Sequence, residues 1–286
     1  MKPAAFTYHA PGTIDEAVAL LAEHAPEDGR ILAGGQSLVP TMAFRLARPP
    51  HLIDINNVAG LDRLEVRGDT LHIGARVRHA AFHKPVCEGP LGALLSTVVA
   101  KIAHLPIRLR GTFCGSLAHA DPASEWCMVA ATLDAEMVAL STGGERVIAA
   151  RDYFEGVMST ALNEDELLAE VRLPILAEGT KFGFQEFSRR AGDFAIAMAL
   201  ATYRITDGKI TDAHIGIGGA EDRPRRIAEA EAALNGAAPG DDVFAAAAEA
   251  ASQAVDPMVD AQNNALYRRD LVRAMTERAL KAAAQS

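Results

Sequence analysis

The spacing of apolar positions in the first part of the chain predicts helices separated by short strands. Residues 13–16, Thr-Ile-Asp-Glu, form a capping-box pattern, and the apolar positions after them fall on one helical face. We therefore expect a helix at about 13–25. The apolar spacing of residues 90–102 predicts a second helix, and a further helix is expected to start near Pro122.

Short apolar runs predict strands, and glycine turns between some of them predict hairpins. Gly68-Asp69 and Gly143-Gly144 are the two turn signals in this part of the chain. The predicted strands lie at residues 6–9, 31–33, 51–55, 64–66, 71–73, 137–140, 146–148 and 167–173.

Beyond a linker at residues 174–179 the pattern changes. Two strands, at about 195–205 and 210–218, surround Asp207-Gly208, which is a strong hairpin signal. Strands and helices alternate irregularly along the chain, and this favours an α+β fold over a doubly wound parallel sheet. Alanine-rich amphipathic helices are expected at about 225–235, 241–254 and 262–283.

Composition and charge narrow the range of partners. The 286 residues are 49% hydrophobic and carry a formal net charge of -9, and no stretch is rich in Lys and Arg, so a nucleic-acid partner is not expected. No apolar segment is long enough to span a bilayer, and no signal-peptide pattern is present, so we expect a cytoplasmic protein. The three cysteines are scattered, which argues against a disulfide framework, a structural zinc or an iron–sulfur cluster on this chain.

A double glycine follows the short apolar run at residues 31–33 and precedes Leu38, where a helical turn is expected. Glycines leave room for a ligand against the main chain, and successive N–H groups can bind an anion such as a phosphate. A structural corner between a strand and a helix would have the same sequence, so this segment alone leaves both interpretations open. It lacks the Lys-Ser/Thr ending of a P-loop, and no Rossmann fingerprint is present, because Glu221 stands where the third glycine after Gly216 and Gly218 would be.

A second glycine turn at residues 111–116 leads into Leu-Ala-His-Ala-Asp-Pro-Ala-Ser-Glu at 117–125. His104, His119 and Asp121 suggest a metal site, but no further ligands follow at suitable spacing, so hydrogen bonding within a loop is the favoured interpretation. We expect the two glycine turns to close on one pyrophosphate.

Three segments in this order, residues 33–40, 111–125 and 187–195, resemble those of the FAD-binding medium subunits of molybdenum hydroxylases, the group that contains carbon monoxide dehydrogenase and the xanthine dehydrogenases. The similarity continues through Gly-Gly-Ala-Glu-Asp-Arg-Pro at 218–224. It implies an α+β fold with a two-lobed FAD-binding domain of the PCMH, or vanillyl-alcohol-oxidase-like, type. The implied domains are 1–176, with lobes at about 1–56 and 57–176, and a small C-terminal domain at 177–286 with an antiparallel sheet and helices.

The resemblance also implies which residues bind FAD. The first segment would cradle the pyrophosphate through its main chain, Glu125 would bind the adenosine ribose, and Leu168 would pack on the adenine. Gln185 and Ala103 would lie on the flavin side. The remaining implied cofactor-binding residues are Ile31, Leu32, Ala33, Gly34, Gly35, Gln36, Ser37 and Leu38 in the first segment, and Gly111, Thr112, Gly115, Ser116, Ala118, His119 and Asp121 in the second.

The sequence departs from the family pattern at three of its positions. Cys114 replaces a glycine and Ser116 replaces an asparagine in the second segment, and position 185 is neutral where some relatives have lysine. The lysine difference bears on how strongly a negative flavin N1 would be stabilised.

By the same resemblance, the expected function is electron transfer through FAD. The molybdenum cofactor and two [2Fe-2S] clusters would lie on a large and a small partner subunit, in a dimer of heterotrimers, and no residue of this chain is assigned as a general acid or base. Two alternatives remain open: a free-standing FAD-dependent reductase or oxidase of the same fold, and a non-redox nucleotide-binding module.

Overall fold

The computed structural model describes residues 2–286, and within them the chain forms ten α-helices and fourteen strands in four sheets. The strands are β1 Thr7–His9, β2 Arg30–Leu32, β3 His51–Asp54, β4 Leu64–Arg67, β5 Thr70–Gly74, β6 Glu136–Ser141, β7 Gly144–Ala149, β8 Phe154–Gly156, β9 Ser159–Thr160, β10 Leu167–Pro174, β11 Lys181–Phe187, β12 Ala197–Thr206, β13 Lys209–Gly218 and β14 Arg225–Arg226. The helices are α1 Ile14–His24, α2 Leu38–Ala43, α3 Gly89–Val99, α4 Leu105–Arg108, α5 Phe113–His119, α6 Glu125–Thr132, α7 Ala150–Tyr153, α8 Ala228–Leu234, α9 Asp241–Ala254 and α10 Ala265–Gln285.

The N-terminal sheet is small and parallel, with strand order β1-β3-β2. Helix α1 packs on it and starts with the predicted capping box: Glu16 N–H donates to Thr13 Oγ1 at 3.2 Å, and Thr13 N–H donates to Glu16 Oε2 at 3.2 Å. Two backbone donors that a helix start leaves free are thus satisfied. The predicted helix at 13–25 is confirmed.

The second sheet is antiparallel, with strand order β4-β5-β10-β6-β7. Its two hairpins, β4–β5 and β6–β7, turn at the predicted glycine signals. The core against this sheet contains a cluster of buried rings, with the Phe113 and Trp126 centroids 4.8 Å apart and the Phe82 and Trp126 centroids 5.1 Å apart. This cluster fixes the start of α5 and α6, which carry several of the predicted site residues.

The third sheet, with strand order β11-β12-β13-β14, joins the two parts of the chain. Even-numbered residues such as Phe184, Met198 and Leu200 belong to the core of the first domain. Odd-numbered residues such as Ala199 and Tyr203 belong to a second core with α8, α9 and α10. Because side chains alternate between the faces of a strand, one sheet serves both cores.

Several regions differ from the sequence expectation, which does not include the short elements α4, α7, β8, β9 and β14. Strand β11 was not predicted, although it pairs with β12 along its full length. The predicted second glycine loop is the start of helix α5, and the helix expected near Pro122 begins at Glu125 as α6. Of the helices within residues 2–286, none has the length and apolar character needed to cross a membrane.

Candidate functional site

The first glycine segment forms a tight turn between β2 and α2. Gly35 has φ +70°, a conformation that favours glycine. Within residues 2–286, the N–H groups of Gly34, Gly35, Gln36 and Ser37 donate no hydrogen bond to the chain itself. Four consecutive free donors on a partly buried turn are suited to an anion such as a pyrophosphate.

The second glycine segment is a helix N-terminus and not a loop. Thr112 is the N-cap of α5, and its Oγ1 accepts the Gly115 N–H at 3.0 Å. Cys114 is buried in the first turn, with its Sγ donating to the Ile73 carbonyl oxygen at 3.4 Å. A cysteine fits here because this helical position does not need the conformational freedom of glycine.

The two segments touch through their backbones at Gly34. A Cβ atom at position 34 would lie 2.5 Å from the Arg110 carbonyl oxygen and 2.6 Å from the Gly111 Cα. Any side chain at this position would therefore force the segments apart. The structure thus brings together the two glycine turns that the sequence placed on one pyrophosphate.

Two side chains that sequence reasoning missed connect the same segments. Asn56 Nδ2 donates to the Ala33 carbonyl oxygen at 2.8 Å, and the Arg78 guanidinium donates both to Asn56 Oδ1 and to the Arg110 carbonyl oxygen. No local sequence pattern marks Asn56 or Arg78 as a site residue, because their contacts join elements that are more than twenty residues apart. This bridge fixes the distance between the two segments.

The region around the two glycine turns carries positively charged residues, although the chain as a whole is acidic. Arg78 and Arg110 both lie at the contact, and burial, together with the charges of Arg110 and Arg76, lowers the pKa of Arg78. Burial, with a smaller contribution from Arg78 and Arg108, lowers the pKa of His79 to about 4, so its imidazole is neutral and accepts the Trp126 Nε1–H at 3.0 Å. The Arg78 guanidinium, held by two hydrogen bonds beside free N–H donors, favours a phosphate ligand.

The predicted flavin side is built from both domains. Ala103 has φ +41°, and Arg108 holds it there by donating to the carbonyl oxygens of Ile102 at 2.6 Å and Ala103 at 2.9 Å. A Cβ atom at Gly192, in the turn before β12, would lie 2.5 Å from His104 Cε1. The C-terminal domain therefore contacts the chain immediately next to Ala103.

Two carboxyl groups, the buried Glu125 of the first domain and the half-buried Glu186 of the C-terminal domain, lie near enough for their charges to interact. Burial raises the pKa of Glu125 to about 8, with the charges of Glu186 and Asp121 adding to the effect. Burial also raises the pKa of Glu186 to about 7, against the lowering effect of Lys101, and its Oε2 has no hydrogen-bond partner within residues 2–286. Buried polar atoms in folded proteins nearly always have a hydrogen-bond partner, so this oxygen atom is suited to a hydrogen bond with a ligand.

Three further predicted residues, Leu168, Asp121 and Gln185, differ in their surroundings. Leu168 is buried on β10 at a bulge, and Asp121 Oδ1 accepts the Ala123 N–H at 2.9 Å, so it stabilises its own loop. Gln185, in contrast, shares a strand face with Gly183, whose Cα lies against α10, and so points away from the first domain. Its neighbour Glu186 lies on the face toward the glycine turns.

The metal interpretation of His104, His119 and Asp121 finds no support in the geometry. Within residues 2–286, the one group of three potential ligand side chains is His9, His24 and His51, in the N-terminal lobe. Sequence reasoning missed this group, because its members are 15 and 27 positions apart.

The donor set fits FAD. Free N–H groups and the Arg78 guanidinium suit its pyrophosphate, and the buried Glu125 carboxyl suits a ribose hydroxyl.

Residues 4–176 match the family described as the FAD binding domain in molybdopterin dehydrogenase, and residues 182–283 match the CO dehydrogenase flavoprotein C-terminal domain. The chain belongs to the FAD-binding medium subunits of the molybdenum hydroxylases. This confirms the predicted family, the two-domain α+β fold and FAD as the cofactor.

Individual relatives of this medium subunit match over nearly its whole length. The nicotine 6-hydroxylase medium subunit of Paenarthrobacter nicotinovorans is 38% identical and covers 98% of each chain. The carbon monoxide dehydrogenase medium chain of Hydrogenophaga pseudoflava is 34% identical and covers 99% of this chain and 98% of the relative. These relatives are subunits of oxidoreductases, and the medium subunit described here is one as well.

Solved structures show the same fold. The carbon monoxide dehydrogenase of Hydrogenophaga pseudoflava superimposes with a TM-score of 0.95 at 35% identity, covering 100% of this chain and 99% of that one. Quinoline 2-oxidoreductase from Pseudomonas putida 86 gives 0.92 at 37% identity, with 100% and 99% covered. The relatives act on different substrates, so the shared chain does not by itself specify one.

Proposed function

We propose that this medium subunit is the electron-transfer subunit of a heterotrimeric molybdenum hydroxylase. It would take electrons from [2Fe-2S] clusters of a small subunit and pass them to an external acceptor, while a large subunit carries the molybdenum cofactor. The supporting observation is a preformed FAD cradle on a chain whose three cysteines are free and separate. Such a chain holds one redox cofactor and depends on partners for the others.

In this proposal the chain's task is to hold the cofactor rigidly. Gly34 to Ser37 would donate their N–H groups to the pyrophosphate, and the Arg78 guanidinium would offset its charge. Glu125 would accept from the ribose, and Leu168 would line the adenine. The residues that complete this proposed contact are Ile31, Leu32, Ala33, Leu38, Gly111, Thr112, Gly115, Ser116, Ala118, His119 and Asp121.

Bound FAD can exchange electrons singly with a cluster or in pairs with an acceptor. The chain's contribution at the flavin side would be shape and charge. Ala103 would lie against the ring system, and the turn at 189–194 would limit access of water. Glu186, half-buried on β11, would be the carboxyl that the C-terminal domain presents there, at the place that the resemblance assigns to Gln185.

We also propose the division into an FAD-binding domain at 1–176 and a C-terminal domain at 177–286, with the complete enzyme a dimer of heterotrimers. Three free thiols suit the reducing cytoplasm.

Spectroscopy of the isolated chain and of the co-purified complex tests the function. We expect the isolated chain to be yellow, to release FAD on denaturation, and to show no flavin bleaching with organic substrates of the complex. In the complex, the same substrates should bleach the flavin. Bleaching by the isolated chain would instead indicate a free-standing reductase, and a colourless chain that FAD cannot reconstitute would indicate a non-redox module.

A further inference from the structure

Three imidazoles from separate elements converge on the N-terminal lobe. His9 ends β1, His24 ends α1, and His51 starts β3. The parallel pairing of β1 with β3 brings the first and third together, and α1 delivers the second. One ring nitrogen from each histidine lies within 4.8 Å of the other two.

The ring nitrogens lie close together, and a carboxylate lies behind one of the rings. His9 Nε2 lies 3.0 Å from His51 Nδ1, within hydrogen-bond distance, and the other nitrogen of His51, Nε2, lies 3.3 Å from Glu27 Oε2. Histidines that bind metals nearly always donate their second ring N–H to a carboxylate or carbonyl. Glu27 thus favours the tautomer with the proton on His51 Nε2, in which the Nδ1 lone pair accepts from His9 or binds an ion that replaces this contact.

The surroundings of the three rings favour a bound cation. The His24 and His51 side chains are only 12% and 18% exposed. His24 also lies at the C-terminal end of α1, where the helix dipole is negative. A cation bound at these imidazoles would therefore be stabilised by the end of the helix.

An entry path exists. A surface cleft of about 390 Å³ opens beside His9, and the carboxyl groups of Glu16 and Glu23 line it. An ion can therefore reach the His9 ring from solvent.

We propose that His9, His24 and His51 form a binding site for a divalent transition-metal ion of the zinc class. Imidazole ligands suit zinc, nickel and copper, whereas magnesium and calcium prefer oxygen. A tetrahedral zinc site with three histidines leaves the fourth position to water. The site is separate from the FAD cradle and from the proposed electron-transfer function.

Binding requires one rearrangement. The His24 and His51 rings are stacked, with centroids 3.9 Å apart and planes 5° from parallel. Two nitrogens on one zinc ion lie about 3.3 Å apart, with the metal in the plane of each ring. The His24 ring must therefore turn out of the stack, which makes His24 the ligand whose environment changes most.

A titration of the full-length, tag-free, metal-stripped chain with Zn²⁺ tests the site. We expect one ion per chain and a rise in melting temperature. His24→Gln and His51→Gln should each weaken binding by at least about 100-fold, and Glu27→Gln, which removes only the charge behind His51, by about 10- to 100-fold. His83→Gln, an exposed histidine outside the cluster, is the matched control and should bind as the wild type does.

The outcome is decisive in either direction. FAD content and circular dichroism should match the wild type in every variant, and Glu27 is 67% exposed, so its variant is expected to fold normally. Equal Zn²⁺ affinity in the wild type, His24→Gln and His51→Gln would overturn the proposal. So would an absence of binding by the wild type, which would leave the three rings as a stack that only packs the lobe.

Discussion

Gly34 shows how one missing side chain can set the geometry of a cofactor site. The Arg110 carbonyl oxygen and the Gly111 Cα occupy the space that a Cβ atom would need. Gly35, next to it, is constrained differently: its φ is positive, and a Cβ there would lie 3.2 Å from the side chains of Leu32 and Val39. The sequence predicted glycines that make room for a ligand, but Gly34 makes room for the second segment.

Gly34→Ala should therefore weaken FAD binding without unfolding the protein. Forcing a methyl group into a packed contact costs about 1–3 kcal/mol, which corresponds to a loss of affinity of roughly one to two orders of magnitude. FAD affinity can be measured by fluorescence titration of the apoprotein. Gly240→Ala is the control, because a Cβ there meets no atom within 4 Å and the backbone is extended. Equal losses in both variants would contradict the loop contact.

The raised pKa of Glu125 makes the stability of the FAD-free protein depend on pH. The folded protein holds this proton up to about pH 8, whereas the unfolded chain releases it near the ordinary glutamate pKa of 4.5. Between these values the folded state binds more protons, so stability is greatest at low pH and falls as pH rises, by at most about 1.4 kcal/mol per pH unit.

Chemical denaturation of the apoprotein at pH 5.5 to 8, about the range in which this carboxyl titrates, checks the prediction. Glu125→Gln should reduce the slope, because the amide has no proton to lose, and the slope that is left should come from Glu186, whose pKa is also raised, to about 7. Glu178→Gln, at an exposed position, should leave the slope unchanged. A wild-type slope that survives in Glu125→Gln would assign the titration to another group.

Helices and strands with complete local signals could be predicted from the sequence. The capping box of α1 and the Asp207-Gly208 turn of β12–β13 are each satisfied by neighbours in the chain. Strand β11 and helix α5 lack such signals. The first is fixed by its pairing with β12, and the second by burial of Phe113 and Leu117 in the core.

The contact between α10 and β11 could not be predicted from any local sequence pattern. A Cβ atom at Gly183 would overlap the Ala279 carbonyl oxygen and lie 2.6 Å from the Ala283 nitrogen. Both partners are backbone atoms of a helix, so they cannot turn aside as a side chain can. The helix therefore packs closer to this strand than a side chain would allow.

Gly183→Ala should destabilise the C-terminal domain by about 1–3 kcal/mol, because α10 must move outward as a unit. Thermal unfolding followed by circular dichroism measures the effect, with Gly240→Ala again as the control. Unchanged stability would mean that α10 is free to shift on the sheet.

In the candidate site as well, some residues could be predicted from the sequence and others could not. The glycine segments and Glu125 were found because each has a recognisable sequence context. Asn56, Arg78 and the three clustered histidines were not, because their partners come from distant parts of the chain. The face on which Gln185 and Glu186 lie depends on the register of β11, which sequence alone does not set.

The three cysteines offer a probe of how the chain opens. Burial raises the pKa of Cys127 to about 12 and that of Cys114 still further, while Cys87 is half-buried with a pKa raised less strongly. Thiolates are the reactive form, so buried thiols with high pKa values are inert in the folded state.

We expect a thiol reagent to modify Cys87 alone in the native protein, slowly, and the other two only on unfolding. Mass spectrometry of the labelled chain gives the count and the positions. Cys87→Ser should leave the native protein unlabelled. Native labelling of Cys114 or Cys127 would show that the core around α5 and α6 opens locally.

The contact of Gly34 with Arg110 also has a consequence for biogenesis. The first turn leaves the ribosome well before the segment that completes it, and Glu125, Leu168 and Glu186 follow later still. If FAD binds between these segments as proposed, a nascent chain cannot retain it until both lobes have been synthesised and have docked. FAD binding would then be a late step of maturation, and the flavin content of a preparation would report the fraction of molecules that have completed it.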